Sequence, residues 1–451
     1  MLGLSTIGNA TLIAYDDNPI LSTDPWFGDE DPAYFGSWIC SHEIPKKYKN
    51  DILRSKYLWF SHGHPDHTNP ISLERFKTNK ILLPDHYGSR IYKDLKDIGY
   101  DVQILKDKKW YKLSKNIRIQ CVTNWLQDSI LLVEINNRIF VNLNDAGTNF
   151  YSKYIKKIVR DYKERYLLTL SGYGDADMIN FWNENGDFVK RKTFSEDHVG
   201  KQLSDMANIT GTNNIIPFSS FHQYQRTDTI WAQEHTVPLD YYKKGINKSH
   251  NFIDPFVFIN CENEDIIKID PKKLNIQLKK PEDFGDNWSD KLDIKEFEEV
   301  KSYFQKKIRL QKILGFIKIK VGGNENTIVI NNSLKNGVTF ELPRNSLLIS
   351  IRHRIFDDLL IGNFMKTTLH NMPSLKYKNF SHVISKWSDN GGVNSEEDVL
   401  NYINHYKEKV GREFLYNVFL DESKNMFFRF ITKNTDNYIY KFFKKIYLSI
   451  K

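Results

Sequence analysis

Cysteine is scarce in this chain of 451 residues, where Cys40, Cys121 and Cys261 are odd in number and far apart. That usage excludes a disulfide framework and any all-cysteine metal centre, and leaves buried thiols as the expected state. Long apolar runs are absent too. No stretch approaches the ~18 apolar residues of a membrane span, and the first residues lack the charged-then-apolar layout of a secretory signal. The expected location is the cytoplasm, with no membrane span. Internal repeats, low-complexity tracts and a glycine-rich phosphate loop are also missing. Residues 1–45 contain no lysine or arginine, while Asp16, Asp17, Asp24, Asp29, Glu30, Asp31 and Glu43 are all acidic. The basic excess lies downstream and is densest at Lys441, Lys444 and Lys445. A net charge of +8 spread over this length is the look of a solvated surface and does not require nucleic acid as a partner.

Hydrophobic residues make up 40% of the chain and aromatics 14%, enough to fill more than one core. The chain opens with three short apolar runs, Leu4 to Ile7, Thr11 to Ala14 and Ile20 to Ser22, separated by Gly8-Asn9 and Asp17-Asn18. They read as a strand meander ending at Thr23-Asp24-Pro25-Trp26. The run Tyr57-Leu58-Trp59-Phe60 reads as a buried strand. Helix, strand and helix then alternate over Ile71–Thr78, Ile81–Pro84 and His86–Ile98. A strand-rich series resumes with Val102–Leu105, Trp110–Leu113, Ile117–Val122, Ser129–Ile135 and Arg138–Leu143. Further on, Tyr151–Tyr162 and Val199–Ala207 read as helices, Tyr166–Leu170 and Asn214–Pro217 as strands, and Ser171–Asp175 as a loop. Meanders alternating with single helices predict an α/β (α+β) fold of two face-to-face sheets with helices outside. Residues 1–253 are expected to form this domain. Residues 254–292, with scattered prolines and little periodicity, read as a connecting segment. Residues 293–451 read as an α+β C-terminal domain: a helix over Ile294–Leu314, strands at Phe316–Val321, Thr327–Ile330 and Val338–Leu342, and helices at Ile355–Leu360, Phe380–Trp387, Glu396–Glu408 and Tyr438–Leu448. No catalytic constellation shows there, so covering the site, binding part of a substrate or pairing subunits into a homo-oligomer is its expected work.

The stretch Ser61-His62-Gly63-His64-Pro65-Asp66-His67 carries the chemistry. Three of the chain's 13 histidines and a carboxylate fall together directly after a predicted strand. Imidazoles beside a carboxylate suit a hard or borderline divalent ion, zinc first, with iron or manganese as alternatives and one or two ions held. Asp145 follows the last strand of the series in Asn144-Asp145-Ala146-Gly147, as a ligand or as an Asx-turn residue. His222, just past the strand Asn214–Pro217, is the best late histidine ligand, with His235 an outside candidate. Asp66, between two histidines, is placed to orient an attacking water or act as general base. His42, in the loop after the meander, is a substrate or supporting residue, or else a satisfied structural imidazole.

These residues resemble the metallo-β-lactamase superfamily through Thr-Asp-Pro-Trp, His-x-His-x-Asp-His and the Asp145 turn. Within it the chain is most similar to the CMP-N-acetylneuraminate hydroxylase family. That similarity extends through Asp24-Pro25-Trp26, His42-Glu43, Asp128 to Glu134, Pro217-Phe218, Ile351-Arg352-His353 and Ile361-Gly362. It implies an αββα sandwich in which His62 and His64 hold one metal, Asp66, His67 and His222 a second, and Asp145 bridges them. Two departures stand out. The superfamily histidine expected a few residues before the strand at Asp128 is replaced by Asn124. The hydroxylase family's Rieske domain needs a Cys-x-His and a Cys-x-x-His together; the two do not occur here. The chain is therefore expected to carry no iron–sulfur cluster of its own, and oxygenase chemistry would need iron at the histidines or a separate electron donor. Three functions follow: a metal-dependent hydrolase acting on a small, acidic or nucleotide-sugar-like substrate, an iron-dependent oxygenase, or a non-catalytic binding protein.

Overall fold

A computed structural model describes residues 1–170, 178–189, 198–238, 241–263, 265–372, 380, 382–411 and 413. Residues Met1–Tyr402 form one compact unit and Ile403–Lys451 a second. The expected divisions at residues 253 and 292 both fall inside the first unit. The loop expected at Ser171–Asp175, the helix expected at Tyr438–Leu448 and the basic cluster near Lys441 lie outside the described residues.

The opening meander forms as read. Strands Leu2–Ile7, Thr11–Asp16 and Asn18–Thr23 pair antiparallel. Their turns are built on Gly8 and Asp17, whose φ angles of 68° and 61° suit glycine and aspartate better than other residues. The sheet then turns parallel. Tyr57–Trp59, Lys80–Pro84 and Val102–Leu105 join one after another. Helices Lys46–Arg54, Pro70–Leu73 and Arg90–Asp97 precede them in turn and make the crossovers a parallel pair needs. Two further strands complete this eight-stranded sheet on its other edge: Val257–Asn260 pairs with Leu2–Ile7, and Ile266–Lys268 pairs with Val257–Asn260. This corrects the reading of residues 254–292 as a connector. The prolines there interrupt the periodicity, yet the intervening run Phe256 to Asn260 is short and apolar enough to extend the sheet.

The second sheet has seven strands, in the order Asn251–Phe252, Asn214–Pro217, Arg165–Thr169, Arg138–Asn144, Ser129–Ile135, Ile117–Thr123 and Trp110–Lys112. The two sheets face one another. One core cluster takes Leu4, Leu12, Leu21, Trp59 and Leu82 from the first and Ile119, Leu131, Phe140, Leu168 and Ile216 from the second. Helices Ser152–Val159 and His198–Thr210 accompany the second sheet, giving the αββα sandwich of the metallo-β-lactamase fold. All seven residues of Arg138–Asn144 are buried, as expected of a central strand covered on both faces.

A third, five-stranded sheet follows, ordered Phe181–Asn183, Lys366–His370, Gly337–Glu341, Phe316–Val321 and Asn324–Val329. Buried and half-exposed residues alternate along Phe316–Val321, so only one face is covered. That face packs on helix Ile294–Gln305, whose start is fixed by a reciprocal Asp293/Glu296 capping box, and on helix Arg344–Arg352. Phe181 reaches this sheet from the first half of the chain. Between the sandwich and this sheet a smaller cluster joins Trp26, Tyr34, Trp38 and Tyr224 to Ile361. Among the described residues no helix is long and apolar enough to cross a membrane.

Candidate metal centre

The strand Tyr57–Trp59 delivers the histidine stretch to one end of the first sheet. A tight turn then folds the ligands inward: His67 N–H and Thr68 N–H both donate to the His64 carbonyl, at 3.0 and 2.7 Å. Thr68 Oγ1 donates to the His62 carbonyl at 2.6 Å. Asn69 closes the loop. Its Oδ1 caps the next helix by accepting from Ile71 and Ser72 N–H, while its Nδ2 donates to the Pro65 carbonyl at 2.9 Å.

Donor atoms of His62, His67 and Asp145 all lie within 4.8 Å of one another. Asp66 Oδ2 and Asp145 Oδ2 stand 3.4 and 3.3 Å from His67 Nε2, a buried nitrogen without a hydrogen-bond partner among the described residues. Asp145 comes from the end of Arg138–Asn144. There Asn144 takes φ 38°, an unusual backbone for a side-chain-bearing residue, and Ser219 Oγ donates to Asp145 Oδ1 at 2.7 Å. Burial by itself would raise the Asp145 carboxyl, but the His67 ring and the Ser219 hydroxyl bring it down to about 2. Asp66 is held from two sides, by Asn9 Nδ2 at 2.9 Å and by the Tyr34 hydroxyl at 2.5 Å. His64 belongs to a second group. Its Nδ1 faces His62 Nε2 at 2.9 Å and its Nε2 lies 3.1 Å from Asp357 Oδ2, with Asp358 completing a trio of donors within 4.8 Å.

His222 sits on strand His222–Tyr224, paired with Trp38–Cys40, and stacks flat on Trp38 at 3.4 Å and 4°. Burial holds it neutral, pushed down to about 3, within the electrostatic reach of Asp145. A neutral ring is the form that ligates. His42 lies elsewhere. It is buried against Phe256 at 4.2 Å, contacts Ser41 Oγ at 3.2 Å, and is pushed down to about 4 by burial. It belongs to neither donor group. His235 is half-exposed beside Glu234. Asn124 is wholly buried, and its amide is engaged in shaping the turn: Oδ1 accepts from Leu126 N–H at 2.8 Å and Asp128 N–H at 3.3 Å, and Nδ2 donates to the Ala146 carbonyl at 3.3 Å.

Several functional neighbours escaped the sequence reading. Asp24 was visible as part of Asp-Pro-Trp, but not its role: Oδ1 accepts from Ser61 N–H at 2.7 Å and Oδ2 meets His67 Nδ1 at 3.1 Å. That contact turns the Nε2 lone pair of His67 toward Asp66 and Asp145. Asn9 had signalled only a turn, and Tyr34 and Ser219 carried no signal. No catalytic constellation was expected in the C-terminal region; Asp357 and Asp358 from it have donor atoms within 4.8 Å of His64, and Lys386 Nζ lies 3.3 Å from Asp128 Oδ1. Two adjacent acids on a late helix have no spacing relationship to a histidine cluster far upstream, so only the fold reveals them.

This donor set fits a divalent cation. A buried and a half-buried carboxylate crowd the buried imidazoles, one ligand-competent nitrogen is left without a hydrogen bond, and the donor separations suit bonds of about 2.0–2.3 Å to a common ion. The class this defines is a metallo-β-lactamase-like sandwich with a candidate metal centre at His-x-His-x-Asp-His. No family model matches the chain. Among solved structures it is similar to a metallo hydrolase from Ignicoccus hospitalis, 12% identical over 60% of this chain and 99% of that one with a TM-score of 0.37, and to an isothiocyanate hydrolase from Delia radicum gut bacteria, 13% identical over 59% and 99% with a TM-score of 0.37. More particularly, its sequence is similar to the cytidine monophosphate-N-acetylneuraminic acid hydroxylase of Asterias rubens, 24% identical over 28% of this chain and 20% of that protein. The enzyme of that name from Sus scrofa is 22% identical over 27% of this chain and 30% of its own length. A Rieske 2Fe-2S iron-sulfur protein of Mycolicibacterium smegmatis is 28% identical over 22% and 18%. The match therefore spans less than a third of these relatives' own lengths.

Proposed function

We propose that this protein is a metal-dependent hydrolase acting on a small, acidic substrate. The observation that carries this reading is the convergence of His62 and of the Asp66 and Asp145 carboxylates on the buried His67 ring, whose Nε2 has no hydrogen bond among the described residues. A divalent ion bound there would supply Lewis acidity and a water acidic enough to attack at neutral pH. The chain's own residues do the rest. Asp24 and Ser219 fix the directions of His67 and Asp145. Asn9 and Tyr34 hold Asp66 with one oxygen toward His67, where its carboxylate takes a proton from the attacking water. Lys386, buried beside Asp128, offers a positive charge at the same end of the sheets for an acidic group on the substrate.

An iron-dependent oxygenase is the second reading, supported by the sequence similarity to the hydroxylases and by the mixture of imidazole and carboxylate donors, which also suits iron. Metal analysis of the purified protein separates the two. Zinc or manganese with hydrolytic turnover supports the first, and stoichiometric iron with oxygen uptake replaces it by the second. Asp145→Ala should lose most of the bound metal, and more than Asn124→Ala; equal losses would overturn the ligand assignment.

A further inference from the structure

We propose that a cavity of about 360 Å³, lined by none of the metal-centre donors, binds the phosphate group of a small phosphate monoester. The cavity lies where helix Ile294–Gln305, helix Arg344–Arg352 and the helical stretch His382–Asn390 end beside one another. Its lining carries four cations, Lys306, Lys307, Arg352 and Arg354, and among the described residues a single acid, Glu299. A volume of that size exceeds one phosphate and leaves room for the organic part of a small ligand.

The ion pairs around the cavity decide how much of this charge is left for a ligand. Glu299 offsets Arg352, their closest atoms 2.8 Å apart. Lys307 is buried and paired with Asp389, which also accepts from the Tyr303 hydroxyl at 2.6 Å. Lys306 and Arg354 remain. Among the described residues neither side chain makes a hydrogen bond or an ion pair. These two uncompensated charges match the roughly two negative charges of a phosphate monoester at neutral pH, whereas a carboxylate would answer only one of them. The planar guanidinium of Arg354 suits two phosphate oxygens at once. Arg90 fixes the turn behind it, donating to the His353 carbonyl, to the Arg354 carbonyl at 2.7 Å and to Asn390 Oδ1 at 3.0 Å, so two walls of the cavity are tied together before any ligand arrives. The positive field is felt at Lys307. Burial lowers its ammonium, Asp389 opposes that, and the charges of Arg354 and Arg90 lower it further, a repulsion that a bound anion relieves.

The test titrates the full chain with inorganic phosphate by calorimetry, with metal bound and after chelation, and with acetate as the singly charged comparison. One phosphate per chain should bind to the chelated protein, at least about tenfold more tightly than acetate, and the same site should persist when metal is present. Lys306→Ala and Arg354→Ala should each weaken it at least about tenfold, the effect of losing one hydrogen bond to a charged group. Both side chains are exposed, so metal content and melting temperature should stay as in the parent. Should Arg354→Ala melt lower, Lys306→Ala decides alone. Binding that appears only with metal would put the phosphate on the metal centre and overturn the proposal. Equal affinity for acetate, or binding unchanged in both variants, would mean an adventitious ion only and overturn it as well. An absence of binding would leave Lys306 and Arg354 as cations serving the helix ends, with the same result. The hydrolase reading stands or falls separately, on bound metal and turnover.

Discussion

At the scale of single residues, the ligands depend on neighbours that bind no metal themselves. Asp24 is fully buried at a positive φ of 40°, with one oxygen on the Ser61 backbone and the other on His67. Asp24→Asn should keep the metal count and lower affinity 10- to 100-fold at the His67 position; competition with a fluorescent chelator measures this, and unchanged affinity would mean that Asp24 does not set the His67 tautomer. Asn124 was legible in the sequence only as a departure from a pattern. In the fold it ties the turn before Ser129–Ile135 to the loop that carries Asp145. Removing it leaves buried backbone groups unsatisfied, so Asn124→Ala should cost about 1–3 kcal/mol of stability in a urea titration while most bound metal is retained.

At the scale of elements, the strands of the sandwich were readable because apolar runs of strand length, bounded by Gly, Asn and Asp, leave few alternatives. Helices were located less closely. The expected helix His86–Ile98 begins only at Arg90, after Gly88 and Ser89 take φ 82° and 50°. The run Phe380–Trp387 coils instead as a π-helical stretch over His382–Asn390, which places Lys386 against Asp128. Strands Trp38–Cys40 and His222–Tyr224 were missed because three residues show no periodicity, yet their pairing brings His222 onto Trp38. The join between elements is carried by Arg226. Wholly buried, it meets Asp286 at 2.9 Å and Asp228 at 2.8 Å, while Asp286 also accepts from Ser346 N–H at the start of helix Arg344–Arg352. Arg226→Ala would strand Asp286 as an uncompensated buried charge. We expect a loss of about 3–5 kcal/mol, read from the denaturation midpoint, and a change under 1 kcal/mol would show that water reaches the pair.

At the scale of the whole molecule, the three cysteines report how closed the cores are. All are buried, and burial pushes the Cys261 thiol up to about 12 and the Cys40 thiol well above its ordinary value. The native protein should show no thiol reactive toward a disulfide reagent at pH 8, and three after denaturation; a rapidly reacting native thiol would reveal an open core. The sequence by itself determined the sandwich, the histidine stretch and the Asp145 turn, because strand periodicity and ligand spacing are local and survive without knowledge of what lies opposite. Tertiary structure alone decided which side chains face the ligands from afar. Asp24, Asn9, Ser219, Asp357 and Asp358 come from separate parts of the chain, and their meeting is set by sheet order and packing between cores, which no spacing along the sequence encodes.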